Sequence, residues 1–335
     1  MKAHGKIQLT IYILGFAGAA LFTLLLVRQG VPAIGAALRT AGWGIALVTL
    51  FHLLPIFLDA VAWWVLFPRT GRPSWRSLFW MRWIGESVSN LLPLAMIGGD
   101  LLRARLATIT GTPMALAAAS VIVDVTLGVV TQILFTLLGL ALLVWVTGGT
   151  HMIGPTLIGT VVGVAAIAGF YLVQRRGMFR FLSAIITHFV KSKEWSSLVQ
   201  SGELLDQTVR TLYARGRGVF LCCAWTLVSL VISSGEIWIA LWALDTHPTF
   251  LNAVILQSMA MSVRNAAFLV PGQLGFQESG YVLIGHLLGI PGDAAFAISL
   301  IARCRDLAIG IPGLVAWQLI EGKRLFRVGT AGASR

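Results

Sequence analysis

Residues Ser262–Glu278, SVRNAAFLVPGQLGFQE, decide how this chain is read. They set Arg264, Asn265 and Glu278 within apolar sequence and interrupt that sequence at Pro271-Gly272, with Gly275 close behind. Residues Ser87–Asp100, SVSNLLPLAMIGGD, repeat the design earlier, with Asn90 and Asp100 on either side of Pro93 and Gly98-Gly99. Polar, Pro/Gly-broken segments in corresponding places of two halves point to a transporter-type binding site.

The sequence around these stretches is that of a membrane protein. Of 335 residues, 57% are hydrophobic and only 11% are charged, too little charge for a soluble protein of this length. Mean hydropathy is +0.85. A helix needs about 20 apolar residues to cross a bilayer. Runs at 8–27, 41–67, 113–147, 153–174, 218–244 and 291–320 supply six such spans. The ten-residue alternating segments of a membrane β-barrel are absent. The apolar core of 8–27 is longer than that of a signal peptide, so it reads as an uncleaved first span. Cys222, Cys223 and Cys304 lie in apolar sequence and suggest neither a disulfide frame nor a metal site. No cofactor is implied.

The net charge of +12 gathers at the N-terminus, Arg69–Arg82, Arg175–Arg217 and Lys323–Arg335. These patches lack the aromatic interleaving of a nucleic-acid module and suit anionic lipid, so membrane lipids rather than nucleic acid are the expected partners. The excess of Lys and Arg on cytoplasmic loops then sets both termini, the 69–82 loop and the 175–217 segment in the cytoplasm. Only Arg28 and Arg39 fall clearly outside. Oligomeric state is not legible.

The two quoted stretches belong to a longer internal repeat. Pro73-Ser74-Trp75, Ser87-Val88 and Asn90 recur 175 residues later as Pro248-Thr249-Phe250, Ser262-Val263 and Asn265. Pro93, Asp100, Gly111 and Pro113 recur 178 residues later as Pro271, Glu278, Gly289 and Pro291. Asp124 and Gly128 recur as Asp306 and Gly310. The second span enters from outside and its counterpart at 218–244 from the cytoplasm, so the halves are inverted. The topology closes only if 73–111 and 248–290 are re-entrant hairpins turning at Pro93–Gly99 and Pro271–Gly275. The expected fold is therefore an all-α polytopic membrane protein: an inverted repeat with two re-entrant helical hairpins and about six full spans. Its parts are an N-terminal span and loop (1–40), a first repeat (41–174), a basic linker (175–217), a second repeat (218–322) and a basic tail (323–335). The linker reads as amphipathic helix on the membrane surface.

Charge in apolar helices is costly, about 2.5–3.5 kcal/mol per residue at a helix centre on insertion scales. The chain nonetheless keeps Asp100, Asp124, Arg264, Glu278, Arg303, Arg305 and Asp306. In one reading the arginines bind an anionic headgroup, the carboxylates balance them or carry a proton, and Asn90 and Asn265 add amide contacts. In the other, Glu278 with Arg303 or Arg305, and Asp306 with Arg264, are ion pairs that hold hairpin to helix. Asp124 and Asp306 each open a D-x-x-x-G pattern whose glycine permits close helix approach. Arg103 and Arg105 suit the cytoplasmic interface, where their stems can snorkel. Glu86 and Glu236 read as helix-packing polar residues, and His52, His151, His247 and His286 as scattered. The twelve Trp read mostly as an interface belt.

The stretch VPGQLGFQESGYVLIGHLLGIPGDAAFAISLIARCRDLAIGIPGLVAWQ resembles the lysylphosphatidylglycerol synthase transmembrane, flippase-like family, and within it the hopanoid-biosynthesis-associated subfamily. Pro271, Gly272, Gly275, Glu278, Ser299, Arg303, Arg305, Asp306, Pro312 and Gly313 carry the resemblance. Asn90, Pro93, Gly98, Gly99, Asp100 and Arg103 fit it in the first half. Gln273 departs from it, standing where a small residue is expected. The resemblance implies a bacterial inner-membrane protein that moves, or helps move, lipids between leaflets. The chain ends at Arg335 without a soluble aminoacyl-transferase domain, so lipid aminoacylation is not expected of it.

The expected function is transport of an amphiphilic lipid, a hopanoid or a phospholipid, through a polar midplane cavity. Glu278→Gln or Arg303→Ala is expected to abolish it in a folded protein. The alternatives are a membrane-embedded lipid-modifying enzyme, for which no nucleophile or general-base pair has the right spacing, and a non-transporting scaffold for a lipid-biosynthesis pathway.

Overall fold

The computed structural model of the chain describes residues 39–69, 72–91, 97–148, 202–266 and 275–332. The described residues form helices and no strand. In chain order these are α1 (Trp43–Phe51), α2 (Leu53–Leu66), α3 (Trp75–Leu91), α4 (Ile97–Ile109) and α5 (Met114–Thr147), then α6 (Gly202–Ala214), α7 (Gly216–Ala243), α8 (Phe250–Ala266), α9 (Phe276–Leu287) and α10 (Gly292–Gly332). The spans expected at 8–27 and 153–174, most of the 175–217 linker, and Pro93, Pro271 and Gly272 lie outside the described residues.

Among the described residues, three helical stretches are long and apolar enough to cross a membrane: α1 with α2 (Trp43–Leu66), α5 and α7. Trp43, Leu134, Trp145, Phe220 and Trp242 are exposed on them, as suits helices whose surroundings are hydrocarbon. The first is jointed at His52. Pro55, third in α2, has no N–H to continue the ladder. Bonds from His52 N to Val48 O (3.0 Å) and from Ile56 N to His52 O (3.3 Å) carry the chain across the joint.

One turn is built twice. Thr112 N donates to Ala107 O at 3.1 Å, and Ile290 N to Gly285 O at 2.8 Å, the six-to-one bond of a helix-ending motif. The glycine between, Gly111 or Gly289, sits at φ 97° or 72°, where a Cβ would be strained. Pro113 and Pro291 then open α5 and α10, with Ala117 N on Pro113 O and Ala295 N on Pro291 O, both at 2.9 Å. Likewise α3 and α8 are 17 residues each, in the same register 175 residues apart.

The helices exchange partners between halves. α3 packs on α4 and on α10; α8 packs on α9 and on α5; α2 and α7 pack along each other. Small residues make these contacts possible. A Cβ on Gly99 would strike the Gly85 carbonyl oxygen and Ser89 Oγ; one on Gly139 would strike Ser258, and one on Gly313 would strike Ser87. Contrary to the expectation from sequence, Gly98 and Gly99 therefore do not form the hairpin turn. They lie in the first turn of α4, where Gly99 lets α4 touch α3. The D-x-x-x-G expectation holds in one half only. Gly310 packs against Leu91, but a Cβ on Gly128 would meet nothing within 4 Å.

The end of the linker is not simply a surface helix. α6 lies on α5, Val209 and Leu212 are buried there, and Arg215 Nη1 donates to Leu66 O at 2.7 Å. Trp63 is likewise core rather than belt: it is fully buried and donates to Ser120 Oγ at 3.1 Å. Two apolar clusters result. One gathers around Trp63, Leu78, Ile84 and Val123, the other around Ile237, Leu256, Ile284 and Ile298.

Candidate functional site

Polar residues of seven helices, with His52 at the α1–α2 joint, face a common cavity of about 300 Å³. α3 supplies Arg82, Glu86 and Asn90, spaced four apart on one face. α7 supplies Ser229, Ser233 and Glu236, and α8 supplies Gln257, Arg264 and Asn265. His52 and Asp59 enter from the α1–α2 stretch, Asp100 and Arg103 from α4, Gln277 and Tyr281 from α9, and Arg305 from α10. The charged lining is balanced: Asp59, Glu86, Asp100 and Glu236 against Arg82, Arg103, Arg264 and Arg305.

Two networks and one pair organise these charges. In the first, Asp124 on α5 accepts from Arg82 Nη1 at 2.7 Å and from Arg103 Nη1 at 2.8 Å, both on its Oδ2. Arg82 Nη2 also reaches Asp59 Oδ2 (3.0 Å), and Arg103 Nη2 reaches Asp100 Oδ1 (2.5 Å). Five residues from four helices are thereby tied together. Arg103 is 3% exposed and its guanidinium lies 5.1 Å from the Trp63 ring, so it is a buried structural cation rather than an interfacial one. Asp124 lies behind the cavity wall, holding two arginines that face it.

The second network crosses the halves. His52 Nδ1 lies 2.9 Å from Glu236 Oε1, and Nε2 lies 2.9 Å from Glu86 Oε1. The other Glu236 oxygen accepts from Arg305 Nη1. Arg305 Nε and Nη2 donate to Asp306 Oδ1 at 3.1 and 2.7 Å. Asp306 thus pairs with its neighbour and not with Arg264. Arg264 Nη2 instead donates to Asn90 Oδ1 at 3.2 Å, joining the ends of α8 and α3.

The pair is Glu278 with Arg303. Glu278 is completely buried and is not part of the cavity lining. Its Oε2 accepts from Gly275 N at 2.7 Å, capping α9, where Gly275 has φ 81°. Its Oε1 accepts from Arg303 Nε and Nη2 at 2.9 and 2.8 Å. This carboxylate fastens the start of α9 to α10.

Of the residues singled out from sequence, Asn90, Asp100, Arg264, Asn265 and Arg305 line the cavity. Asp124 and Asp306 support it from behind, and Glu278 and Arg303 hold the scaffold beside it. Sequence reasoning passed over His52, Asp59, Arg82, Glu86 and Glu236. The i, i+4 spacing of Arg82, Glu86 and Asn90 was the available signal. It marks a polar stripe on a helix otherwise read as apolar. Among the described residues no group of His, Cys, Asp and Glu has metal-binding geometry.

A family model described as the lysylphosphatidylglycerol synthase TM region matches residues 12–313. Comparison with curated proteins and with solved structures finds no match. The matched span runs through every helix that lines the cavity, and it connects the chain with membrane lipid. This apolar, all-helical protein with its charge-lined interior belongs to the lysylphosphatidylglycerol synthase transmembrane-region family.

Proposed function

We propose that the chain is a lipid transporter of the bacterial cytoplasmic membrane, not an enzyme, and that it moves an amphiphile such as a hopanoid or a phospholipid between leaflets. The observation that carries this reading is the cavity, about 300 Å³ of charge-lined space fed by both halves of an externally apolar protein. That volume is the share of roughly ten liquid waters. It suits a polar headgroup, while acyl chains remain in the bilayer. In this reading Arg264, Asn90 and Asn265, near the ends of α8 and α3, take the headgroup oxygens. Arg305 and Asp100 border the path, and the ion-pair networks keep the emptied site neutral enough to exist within hydrocarbon.

The same reading makes the fold an inverted repeat of about six spans with two re-entrant hairpins. The twice-built turn and the matched lengths of α3 and α8 support it. So does the shortness of α4 and α9, 13 and 12 residues. At 1.5 Å per residue they rise only about 20 Å, against a hydrocarbon core of about 30 Å. Inversion puts the basic patches, both termini included, on the cytoplasmic side.

The test is leaflet exchange of fluorescent phosphatidylglycerol in proteoliposomes. The wild-type protein is expected to exceed protein-free vesicles. Arg264→Gln and Asn265→Ala, with unchanged melting temperatures, are expected to slow exchange about tenfold, the effect of ~1.4 kcal/mol. No acceleration by wild type, or equal rates in both variants, refutes the proposal.

A further inference from the structure

The His52 contacts contain more hydrogen bonds than the ordinary protonation states allow. A neutral imidazole has one N–H and one bare nitrogen, and an ionised carboxylate only accepts. Yet both ring nitrogens lie 2.9 Å from carboxylate oxygens, Glu236 on one side and Glu86 on the other. With neutral His52 and two carboxylates, one of these contacts sets a lone pair against an anion. Both become hydrogen bonds if one further proton is present, on the second ring nitrogen or on a glutamate.

The surroundings favour that proton. Arg305 on α10 donates to Glu236 but divides its charge with Asp306. Arg82, one turn before Glu86 on α3, is directed to Asp59 on α2 and Asp124 on α5. Arg303 on α10 is held by Glu278. Glu236 and Asp306 thus contact one guanidinium between them and Glu86 contacts His52 instead, while Arg82 and Arg264 border the same cavity. In a low-dielectric interior an anion without a direct cation recruits a proton.

We propose that His52, Glu86 and Glu236 form a proton-binding site, and that loading and unloading it is the coupling step of the cavity. Both glutamates border the cavity, but Glu236 is anchored by Arg305 whatever the site holds, whereas Glu86 is the more exposed and reaches His52 from α3. When the proton leaves to cavity water, the net charge of the trio falls by one and the His52–Glu86 contact turns repulsive. α3 then loses its tie to His52 at the α1–α2 joint and, through His52, to Glu236 on α7, while Arg82 still holds it to Asp59 on α2. The reverse uptake re-ties them. The coupling half rests on the transport reading; the proton half does not.

The test has two arms, both on the full chain in lipid. In nanodiscs at neutral pH, ¹⁵N-histidine spectra are expected to show doubly protonated His52, assigned by its loss in His52→Gln. If a glutamate holds the proton, infrared spectra are expected to show a protonated-carboxyl band that Glu86→Gln or Glu236→Gln removes. A neutral His52 with no such band overturns the proposal. In phosphatidylglycerol vesicles, an imposed pH gradient is expected to change wild-type exchange of fluorescent phosphatidylglycerol several-fold. Glu86→Gln and His52→Gln are expected to abolish that response. An unchanged response in both variants overturns the coupling. Wild-type vesicles that exchange no lipid under any gradient refute transport and its coupling together, and leave the spectra to decide the proton site.

Discussion

Glu278→Gln separates a structural carboxylate from a cargo-binding one. Glu278 is fully buried and accepts three charge-assisted bonds, one from Gly275 N and two from the Arg303 guanidinium. Glutamine keeps the shape, but its amide nitrogen must face one of these donors, and the buried ion pair is broken. Removing one partner of such a pair costs about 3–5 kcal/mol. The Arg303 side chain is 27% exposed and can relax outward, so the lower end, about 3 kcal/mol, applies. At roughly 2 °C per kcal/mol for a chain of this size, the melting temperature falls by about 6 °C. Thermal unfolding of the purified variant in nanodiscs measures this. Arg303→Gln alone lowers stability too, and the double variant loses less than the sum, because the two changes remove the same interaction. A Glu278→Gln protein that melts within a degree of wild type and fails only in lipid exchange refutes the reasoning. It would favour the cargo-site reading of Glu278 over the ion-pair reading, both of which the sequence left open.

Three further outcomes follow from the geometry. Asp124→Asn leaves Arg82 and Arg103 sharing only Asp59 and Asp100, and is expected to cost about 3 kcal/mol; Asp59→Asn costs less, because Arg82 keeps Asp124. Both are measured by the same melts. Gly99→Ala forces apart α3 and α4, whose backbones touch there, and is expected to cost about 1–3 kcal/mol, whereas Gly128→Ala, in open space, stays within about 0.5 kcal/mol of wild type. In a background lacking Cys222, Cys223 and Cys304, a cysteine at Ser233 on the cavity wall is expected to react with small water-soluble thiol reagents. One at the outward-facing Leu134 reacts only with lipid-soluble reagents, and the opposite pattern would show the cavity to be dry.

What the sequence determined by itself is whatever depends on neighbours along the chain. Apolar run lengths located α5 and α7 to within a residue or two, because a bilayer-length helix satisfies its own backbone. Gly111-Thr112-Pro113 and Gly289-Ile290-Pro291, matched from sequence as repeated positions, prove to be the twice-built turn, since a positive φ followed by a proline is a local demand. The charged residues themselves were also legible, because charge in hydrocarbon stands out. The partners they choose were not. Glu278 reads alike as part of a cargo site or as half of an ion pair until Gly275 N and Arg303 are found on it. His52 reads as a stray histidine until helix packing brings Glu86 and Glu236, 34 and 184 residues away, to its two nitrogens. Pairing energy depends on distance and burial in three dimensions, and only the packing of α3, α7 and α10 around the α1–α2 joint fixes those.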